Sequence, residues 1–234
     1  MRMKNKKAVQ IEAKKKHLEN LKFARRKSKN LKRKAPTLTE KPTILIVCEG
    51  QNTETSYFKN FRLSSAKIEA IGEGYNTVTF VRRAIVLSQQ SEYDQTWVVF
   101  HKDDFNSQDF SNAISIAEAS QFKIGYSNQA FEYWLLLHLS DHQGGGMHRK
   151  DYCDAINKEL KKYDIEYDGR GNKLISDDFF DLLMGIDDKH GISRMELAIR
   201  RAERNYNQFN HDSPAMEESS TTVFKLVNEI KKYI

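Results

Sequence analysis

The chain has 234 residues, which is long enough for one α/β domain with a sizeable core and an appendage. It contains no run of 18 or more apolar residues and no apolar N-terminal segment, so we expect neither a membrane-spanning helix nor a secretory signal. Its two cysteines, Cys48 and Cys153, are too few for a disulfide framework or a thiolate zinc site, and they are typical of a cytoplasmic protein.

Positive charge is concentrated near the N-terminus. The net charge is +6, yet residues 1–40 hold 15 Lys or Arg and only 3 Asp or Glu, which leaves the remainder acidic. This segment has little apolar surface to bury, so we interpret it as a basic N-terminal arm that binds a polyanion with little sequence preference. A solubility tail, or a helix without a role, is the alternative. The residues expected to bind nucleic acid are Lys14, Lys15, Lys16, Arg25, Arg26, Lys32, Arg33 and Lys34.

The remaining residues, 41–234, are predicted to form one domain, with an α/β core over 43–139 and a helical part over 149–234. Strands and helices alternate in the core, which indicates a mostly parallel sheet flanked by helices. The predicted strands are 43–48, 66–71, 96–101 and 122–126. The predicted helices are 53–62, 77–91, 107–120 and 129–139, followed in the helical part by 149–163, 176–184, 190–208 and 220–233.

A carboxylate follows the first predicted strand. The apolar run from Ile44 to Cys48 stops at Glu49 and Gly50, and a second carboxylate, Glu54, comes at the start of the next predicted helix. Gly50 permits a sharp turn of the backbone. Ligands of open α/β sheets bind at the carboxyl edge, so Glu49 and Glu54 are candidate site residues. The alternative is an ordinary strand-turn-helix in which Glu54 only starts the helix.

Polar side chains also follow the apolar strand at 97–100, namely His101, Asp103 and Asp104. Neighbouring strands lie ~5 Å apart, so carboxylates that end two adjacent strands can share a divalent cation. Mg²⁺ prefers oxygen ligands of this kind. The alternative is an N-capping Asp in a solvated acidic turn.

Four motifs in chain order resemble the RloB family, small proteins with a TOPRIM-like fold that are encoded in bacterial restriction and phage-defence loci. The resemblance spans most of residues 41–234 and implies a TOPRIM-like, mostly parallel sheet. The motifs are Ile-Val-Cys-Glu-Gly at 46–50 with Thr53, Glu54, Tyr57 and Phe58; Trp-Val-Val-Phe at 97–100 with Asp103; Ser-Asn-Gln-Ala-Phe-Glu at 127–132, continuing to His138; and Ser-Ser-Thr-Thr at 219–222, continuing to Val227.

The resemblance implies an active site that binds Mg²⁺ or Mn²⁺. His101 departs from the family pattern, which has Asp at this position, and imidazole is a poor ligand for Mg²⁺. The site therefore prefers Mn²⁺, is weakened, or relies on Glu54. Glu132 either points at the metal or organises the loop before it. The expected metal ligands are Glu49, Glu54, Asp103, Asp104 and Glu132, and the expected catalytic residues are Glu49, His101 and Asp103.

Two functions of different classes fit these residues. The first is a metal-dependent nuclease of DNA or RNA, tRNA included, acting as the toxic effector of an antiphage defence system under a partner ATPase of the AAA or ABC type. The second is a non-catalytic nucleic-acid-binding or assembly subunit with a degenerate metal site. Self-association into a homo-oligomer is left open.

The long predicted helix near the C-terminus carries a row of cationic side chains. Arg194 and Arg201 share one face by their spacing, as do Arg200 and Arg204. A solvated helix face with acidic partners is one interpretation. A stripe that contacts phosphates, with His190 at its start, is the other.

Overall fold

The computed structural model describes residues 11–20, 22, 42–70, 77–103 and 106–234. The chain divides into two compact units, Met1–Glu40 and Lys41–Ile234. In the first unit, residues 11–20 are helical and exposed, so Lys14, Lys15 and Lys16 present their charges to solvent. The other predicted nucleic-acid-binding residues lie outside the described residues, namely Arg25, Arg26, Lys32, Arg33 and Lys34.

The second unit is built on a four-stranded parallel sheet, in which the first strand along the chain lies between the second and the third, and the fourth pairs with the other side of the third. The predicted α/β class is confirmed, and so is the parallel pairing of the first and third strands, whose register places Cys48 opposite Val99. That pairing continues past the end of the first strand, where the Glu49 N–H donates to the Val99 carbonyl at 2.9 Å. The strands are β1 (Ile44–Cys48), β2 (Ala66–Ala70), β3 (Gln95–His101) and β4 (Lys123–Ser127).

Helices cover the sheet and form the second half of the chain. They are α1 (Thr53–Lys59), α2 (Thr77–Ser88), α3 (Ser107–Ala119), α4 (Glu132–Leu139), α5 (Arg149–Leu160), α6 (Asp177–Met184), α7 (Arg194–Tyr206) and α8 (Val223–Ile230). Every predicted helix of the domain is present, but most are shorter than predicted. For example, α4 begins at Glu132 and not at 129, because Gln129 has a positive φ of 74° that a helix excludes. Among the described residues, no helix is long and apolar enough to cross a membrane.

The two central strands are buried on both faces, which explains why their sequences are continuously apolar. In β1, Ile44, Ile46 and Cys48 face one hydrophobic cluster, which includes Tyr57 and Trp134. The alternate residues face a second cluster, formed with helices α2 and α3. Because each strand is buried along its length, the polar residues that follow it at the carboxyl edge of the sheet are the first that can contact a ligand.

The Ser-Ser-Thr-Thr motif at 219–222 completes the edge of the sheet beside β4. Thr221 pairs with Ser127 in an isolated antiparallel bridge. The Thr222 hydroxyl accepts from the Tyr126 N–H at 2.9 Å and donates to the Ile124 carbonyl at 3.1 Å. The side chains thus satisfy backbone groups that β4 would otherwise leave unpaired at the edge. This motif of the chain is therefore structural.

Candidate active site

Glu49 and Glu54 meet where β1 turns into α1. Glu49 directly follows the strand and is only 8% exposed, and Glu54 is in the first turn of the helix and 3% exposed. A Cβ atom at Gly50 would overlap the Glu54 carboxylate, so only glycine lets this side chain fold back against the turn. Two largely buried carboxylates are thus held at one edge of the sheet.

His101, the last residue of β3, lies between these carboxylates and Asp103. Its Nδ1 is 3.5 Å from Glu49 Oε2 and 3.2 Å from Glu54 Oε1. Its Nε2 is 3.1 Å from Asp103 Oδ1. The backbone contributes as well, because the His101 N–H donates to Glu49 Oε2 at 3.2 Å. One imidazole therefore contacts all three carboxylates, and these four side chains are called the carboxylate–imidazole cluster below.

Asp103 is held in place by its backbone and by Arg149. Asp103 has a positive φ of 50°, and its N–H donates to the Gln129 carbonyl at 3.2 Å. Arg149, the first residue of α5, forms an ion pair with Asp103 Oδ1. Arg149 could not be identified from the sequence, because no motif links it to a residue 46 positions earlier. Asp104, a predicted metal ligand, lies outside the described residues.

The ionisable groups of the carboxylate–imidazole cluster perturb one another. Burial raises the pKa of Glu49 to about 7, against the opposing effect of the nearby His101. Burial by itself would lower the pKa of His101, but its interactions with Asp103 and Glu54 outweigh that cost and raise it well above the usual value. Burial also opposes ionisation of Asp103, yet His101 and Arg149 lower its pKa. At neutral pH the cluster thus contains a cationic imidazole and a partly protonated Glu49.

Glu132, the fifth predicted metal ligand, lies beside this cluster. Tyr167, which is 1% exposed, donates its hydroxyl hydrogen to Glu132 Oε1 at 2.8 Å. The Thr53 hydroxyl is 3.0 Å from the same phenol oxygen and is the donor there, because the phenol proton is already used. Among the described residues, no hydrogen bond or ion pair joins Glu132 to Glu49, His101 or Asp103. Glu132 thus connects α4 with the start of α1, through a tyrosine that the sequence analysis did not single out.

The donor chemistry of the cluster fits a hard divalent cation. Three carboxylates converge, and Asp103 Oδ1 is buried without an aligned hydrogen bond although two cations touch it. The residues that would hold the cation are Glu49, Glu54 and Asp103. Within the described part of the chain, however, no three His, Cys, Asp or Glu side chains are already arranged as a metal site. The imidazole between the carboxylates accounts for that spacing.

The comparison with protein families gives a match that covers most of the chain. The family model described as RloB-like protein matches residues 44–230, which include all four strands and the carboxylate–imidazole cluster. Searches of curated proteins and of solved structures found no match. Because the family match extends from β1 to the last residue of α8, the chain belongs to the RloB-like family.

Proposed function

We propose that this protein is a divalent-metal-dependent nuclease that hydrolyses phosphodiester bonds of DNA or RNA. The observation that carries the proposal is the convergence of Glu49, Glu54 and Asp103 on one imidazole at the carboxyl edge of a parallel sheet. Carboxylates are costly to bury together unless a cation or protons compensate them. A site that accepts this cost is more typical of catalysis than of packing.

Glu49, Glu54 and Asp103 would hold Mg²⁺ or Mn²⁺, with Asp104 and Glu132 as further predicted ligands. When bound, such an ion supplies Lewis acidity that polarises a phosphoryl oxygen and activates water. The chain's own groups handle protons and orientation. Glu49 has a pKa near neutrality, so it can take up and release a proton at working pH. Arg149 has a side chain that is 34% exposed and is close enough to Asp103 to contact a phosphodiester at the cluster.

The direct test is cleavage by the purified full-length protein. Total RNA, total DNA and tRNA are incubated with it in Mg²⁺, Mn²⁺ or EDTA, and the new ends are sequenced. We expect discrete ends in one substrate class with either metal and none in EDTA. Cleavage that is equal in EDTA would rule out the metal-dependent mechanism, and no cleavage of any substrate would favour the alternative below.

The alternative is a non-catalytic nucleic-acid-binding or assembly subunit. The observation in its favour is that His101 and Arg149 already compensate the carboxylates, so the cluster can stand without a metal. Divalent-dependent thermal stabilisation that Glu49→Ala removes supports the nuclease. Its absence supports the subunit.

We further propose that the nuclease is the toxic effector of an antiphage defence system and is controlled by an ATPase of the AAA or ABC type. Family membership is the support for this role. Growth arrest on induction, relieved by co-expression of an ATPase encoded next to the gene, tests it. Analytical ultracentrifugation of the two proteins alone and together tests both their assembly and self-association into a homo-oligomer.

Replacing His101 by Asp is expected to tighten Mg²⁺ binding at least about tenfold, because a hard oxygen ligand replaces an imidazole that repels cations when protonated. The matched control is His101→Asn, which removes the imidazole without adding a charge. Isothermal titration calorimetry measures both variants. If Asp and Asn bind Mg²⁺ equally, the added carboxylate is not a ligand.

Deleting residues 1–40 is expected to weaken nucleic-acid binding without lowering the melting temperature, because the remaining residues form a compact unit of their own. The slope of log K against log salt should fall by about 0.9 for each duplex phosphate that the arm neutralises. Lys14, Lys15 and Lys16 changed together to Gln should give part of that loss. An unchanged slope would show that the arm does not touch the nucleic acid and would favour a protein partner.

A further inference from the structure

A pocket with several cationic side chains lies in the helical part of the domain, apart from the carboxylate–imidazole cluster. A pocket with a volume of about 590 Å³ opens between α7, the C-terminal ends of α4 and α5, and the loop before α7. This size suits a small ligand or one segment of a larger one. The cationic side chains that line it are Lys162, Lys189, Arg200, Arg201 and Arg204, and the other ionisable side chains of its lining are Asp141, Glu159, Asp187 and His190.

Most of these cations already have a carboxylate partner. Arg204 binds Asp141 through two hydrogen bonds of 2.6 and 3.1 Å. His190 contacts Asp187 at 2.6 Å, and Lys162 is 3.5 Å from Glu159. These pairs neutralise the rim of the pocket.

Arg201 is different from its neighbours. It is 9% exposed, yet within the described part of the chain it forms no ion pair. Burial lowers the pKa of its guanidinium, although the charges of Asp141 and Asp187 oppose that shift from a distance. One donor, Nη1, is used by the Leu137 carbonyl at 2.8 Å, which leaves most of its five N–H groups without a protein acceptor. Arg201 lines the pocket, so these remaining donors are available to an anionic ligand there.

Lys189 adds a second cation without a partner. It is exposed at the mouth of the pocket, and its ammonium group has no carboxylate partner among the described residues. Arg201 provides a planar guanidinium group on a largely buried side chain, and Lys189 provides an ammonium group on an exposed side chain. The guanidinium can donate to two oxygens of a phosphate group, and the ammonium group can neutralise its remaining charge.

The pocket is connected to the candidate active site by two helices. Helix α4 begins at Glu132, beside the carboxylate–imidazole cluster, and its last residue, Leu139, lines the pocket. Helix α5 begins at Arg149, which binds Asp103, and Glu159 near its end lines the pocket as well. Ten residues of helix span about 15 Å. A strand stacked as in a duplex covers that distance in about four nucleotides, at a rise of 3.4 Å per nucleotide.

We propose that this pocket is a phosphate-binding site in which Arg201 and Lys189 hold a phosphate about four nucleotides from the scissile bond. A free nucleotide carries the same phosphate chemistry, and the experiment separates the two sources. The assignment to a nucleic acid strand rests on the proposed nuclease function, whereas the phosphate site itself does not. The simpler account, in which Arg201 only caps the end of α4, predicts no binding of any phosphate.

The test measures binding by the full-length protein in EDTA, so that it is independent of metal-dependent cleavage. Fluorescence anisotropy gives the affinity for single strands of 3 and 12 nucleotides between 50 and 200 mM KCl. The variants are Lys189→Ala and Arg201→Gln, and the matched control is Lys158→Ala, an exposed lysine of α5 outside the pocket. Lys189→Ala carries the test even if Arg201→Gln fails to fold, since Lys189 is exposed.

For the 12-nucleotide strand, we expect Lys189→Ala to weaken binding about threefold to tenfold and to reduce the salt slope by about 0.7, the value for one single-strand phosphate. The 3-nucleotide strand is the length control: in EDTA the carboxylates of the cluster do not attract its phosphates, so it should bind more weakly than the 12-nucleotide strand and should also lose affinity in Lys189→Ala. Lys158→Ala should match the wild type for both strands.

Calorimetry with inorganic phosphate and with adenosine monophosphate forms the second arm. Binding of these ligands that Lys189→Ala and Arg201→Gln abolish, with the 12-nucleotide slope unchanged, assigns the pocket to a free nucleotide. If neither the slope nor the calorimetric binding changes in Lys189→Ala, the proposal is overturned. An altered slope in a protein that never cleaves would refute the nuclease and leave the phosphate site standing.

Discussion

Changing Glu49 to Gln is expected to lower nucleic-acid cleavage by at least about 100-fold while the protein stays folded. Glu49 is the cluster residue with a pKa near neutrality, so Gln removes its proton transfer as well as a predicted metal ligand. The amide keeps the shape of the side chain and an oxygen that accepts from the His101 N–H. The loss is therefore chemical, and initial rates of cleavage with Mg²⁺ and Mn²⁺ measure it.

Replacing either of the other carboxylates of the carboxylate–imidazole cluster should lower cleavage as much as Glu49→Gln, or less. Asp103→Asn should lower the cleavage rate about as much as Glu49→Gln, because Asp103 contacts both His101 and Arg149. Glu54→Gln should lower the cleavage rate less, because Glu54 contacts His101 but, within the described part of the chain, forms no ion pair with Arg149. The matched control is Glu203→Gln, an exposed residue of α7 outside the cluster. Full activity in both the Glu49 and Asp103 variants would contradict the proposed mechanism.

The central strands could be predicted from sequence because their burial on both faces shows directly in a short run of consecutive residues. A strand buried on both faces must be apolar throughout, and the first polar residue then marks its end. Glu49 and His101 were located in this way, and the parallel pairing of β1 with β3 brings them together. Helix ends were less predictable. Gln129 adopts a positive φ, which delays the start of α4, and nothing in its side chain requires that conformation.

The contacts that link the α/β core to the helical part could not be predicted, because they join residues far apart in the chain. Arg149 reaches Asp103 only because α5 begins at the sheet edge. Tyr167 reaches Glu132 and Thr53 from a loop before α6. These side chains carry no periodic or motif signal of their own. The sequence motifs therefore identify the acids of the site, while its counter-charges come from the tertiary fold.

The contacts of His101 differ most from what the sequence predicted for the site. As a departure from an expected Asp, it predicted a metal site that prefers Mn²⁺, is weakened, or relies on Glu54. In the structure its ring contacts all three carboxylates of the cluster. A protonated imidazole there stabilises the carboxylates without a metal, so metal binding must compete with it. This competition is the physical reason to expect a marked effect of pH on the site.

Between pH 5 and pH 8, the wild type should lose stability relative to the Glu49→Gln variant. The pKa of Glu49 is about 7 in the folded protein, against an ordinary value of 4.5. A group whose pKa is raised by folding contributes its full stability below the unfolded pKa and loses it as pH rises through the folded pKa. The loss from Glu49 is on the order of 3 kcal/mol by pH 8.

His101 changes stability in the same direction, because its pKa is also raised in the folded protein. Its contribution is lost as pH rises above its ordinary value of 6.5, and the Glu49 variant retains this component. His138 and His142 act in the opposite direction, because burial lowers their pKa values, so their contribution to stability rises with pH up to the ordinary value of 6.5. Both proteins share these histidines. Asp103 and Glu229 have lowered pKa values, so they affect stability in more acidic solution. The difference between wild type and Glu49→Gln therefore reports the titration of Glu49 together with its coupling to His101.

Thermal unfolding in EDTA at pH 5 and pH 8 measures that difference. At pH 5 most of the Glu49 contribution is still present, so the two proteins should melt at similar temperatures. At pH 8 Glu49→Gln should melt on the order of 5–10 °C higher, since about 1 kcal/mol shifts the melting temperature of a domain of this size by 2–4 °C. The control Glu203→Gln should follow the wild type at both values. A Glu49 variant that is less stable than wild type at pH 8 would mean that the ionised carboxylate is well compensated by His101, and that its pKa is not raised in the folded protein.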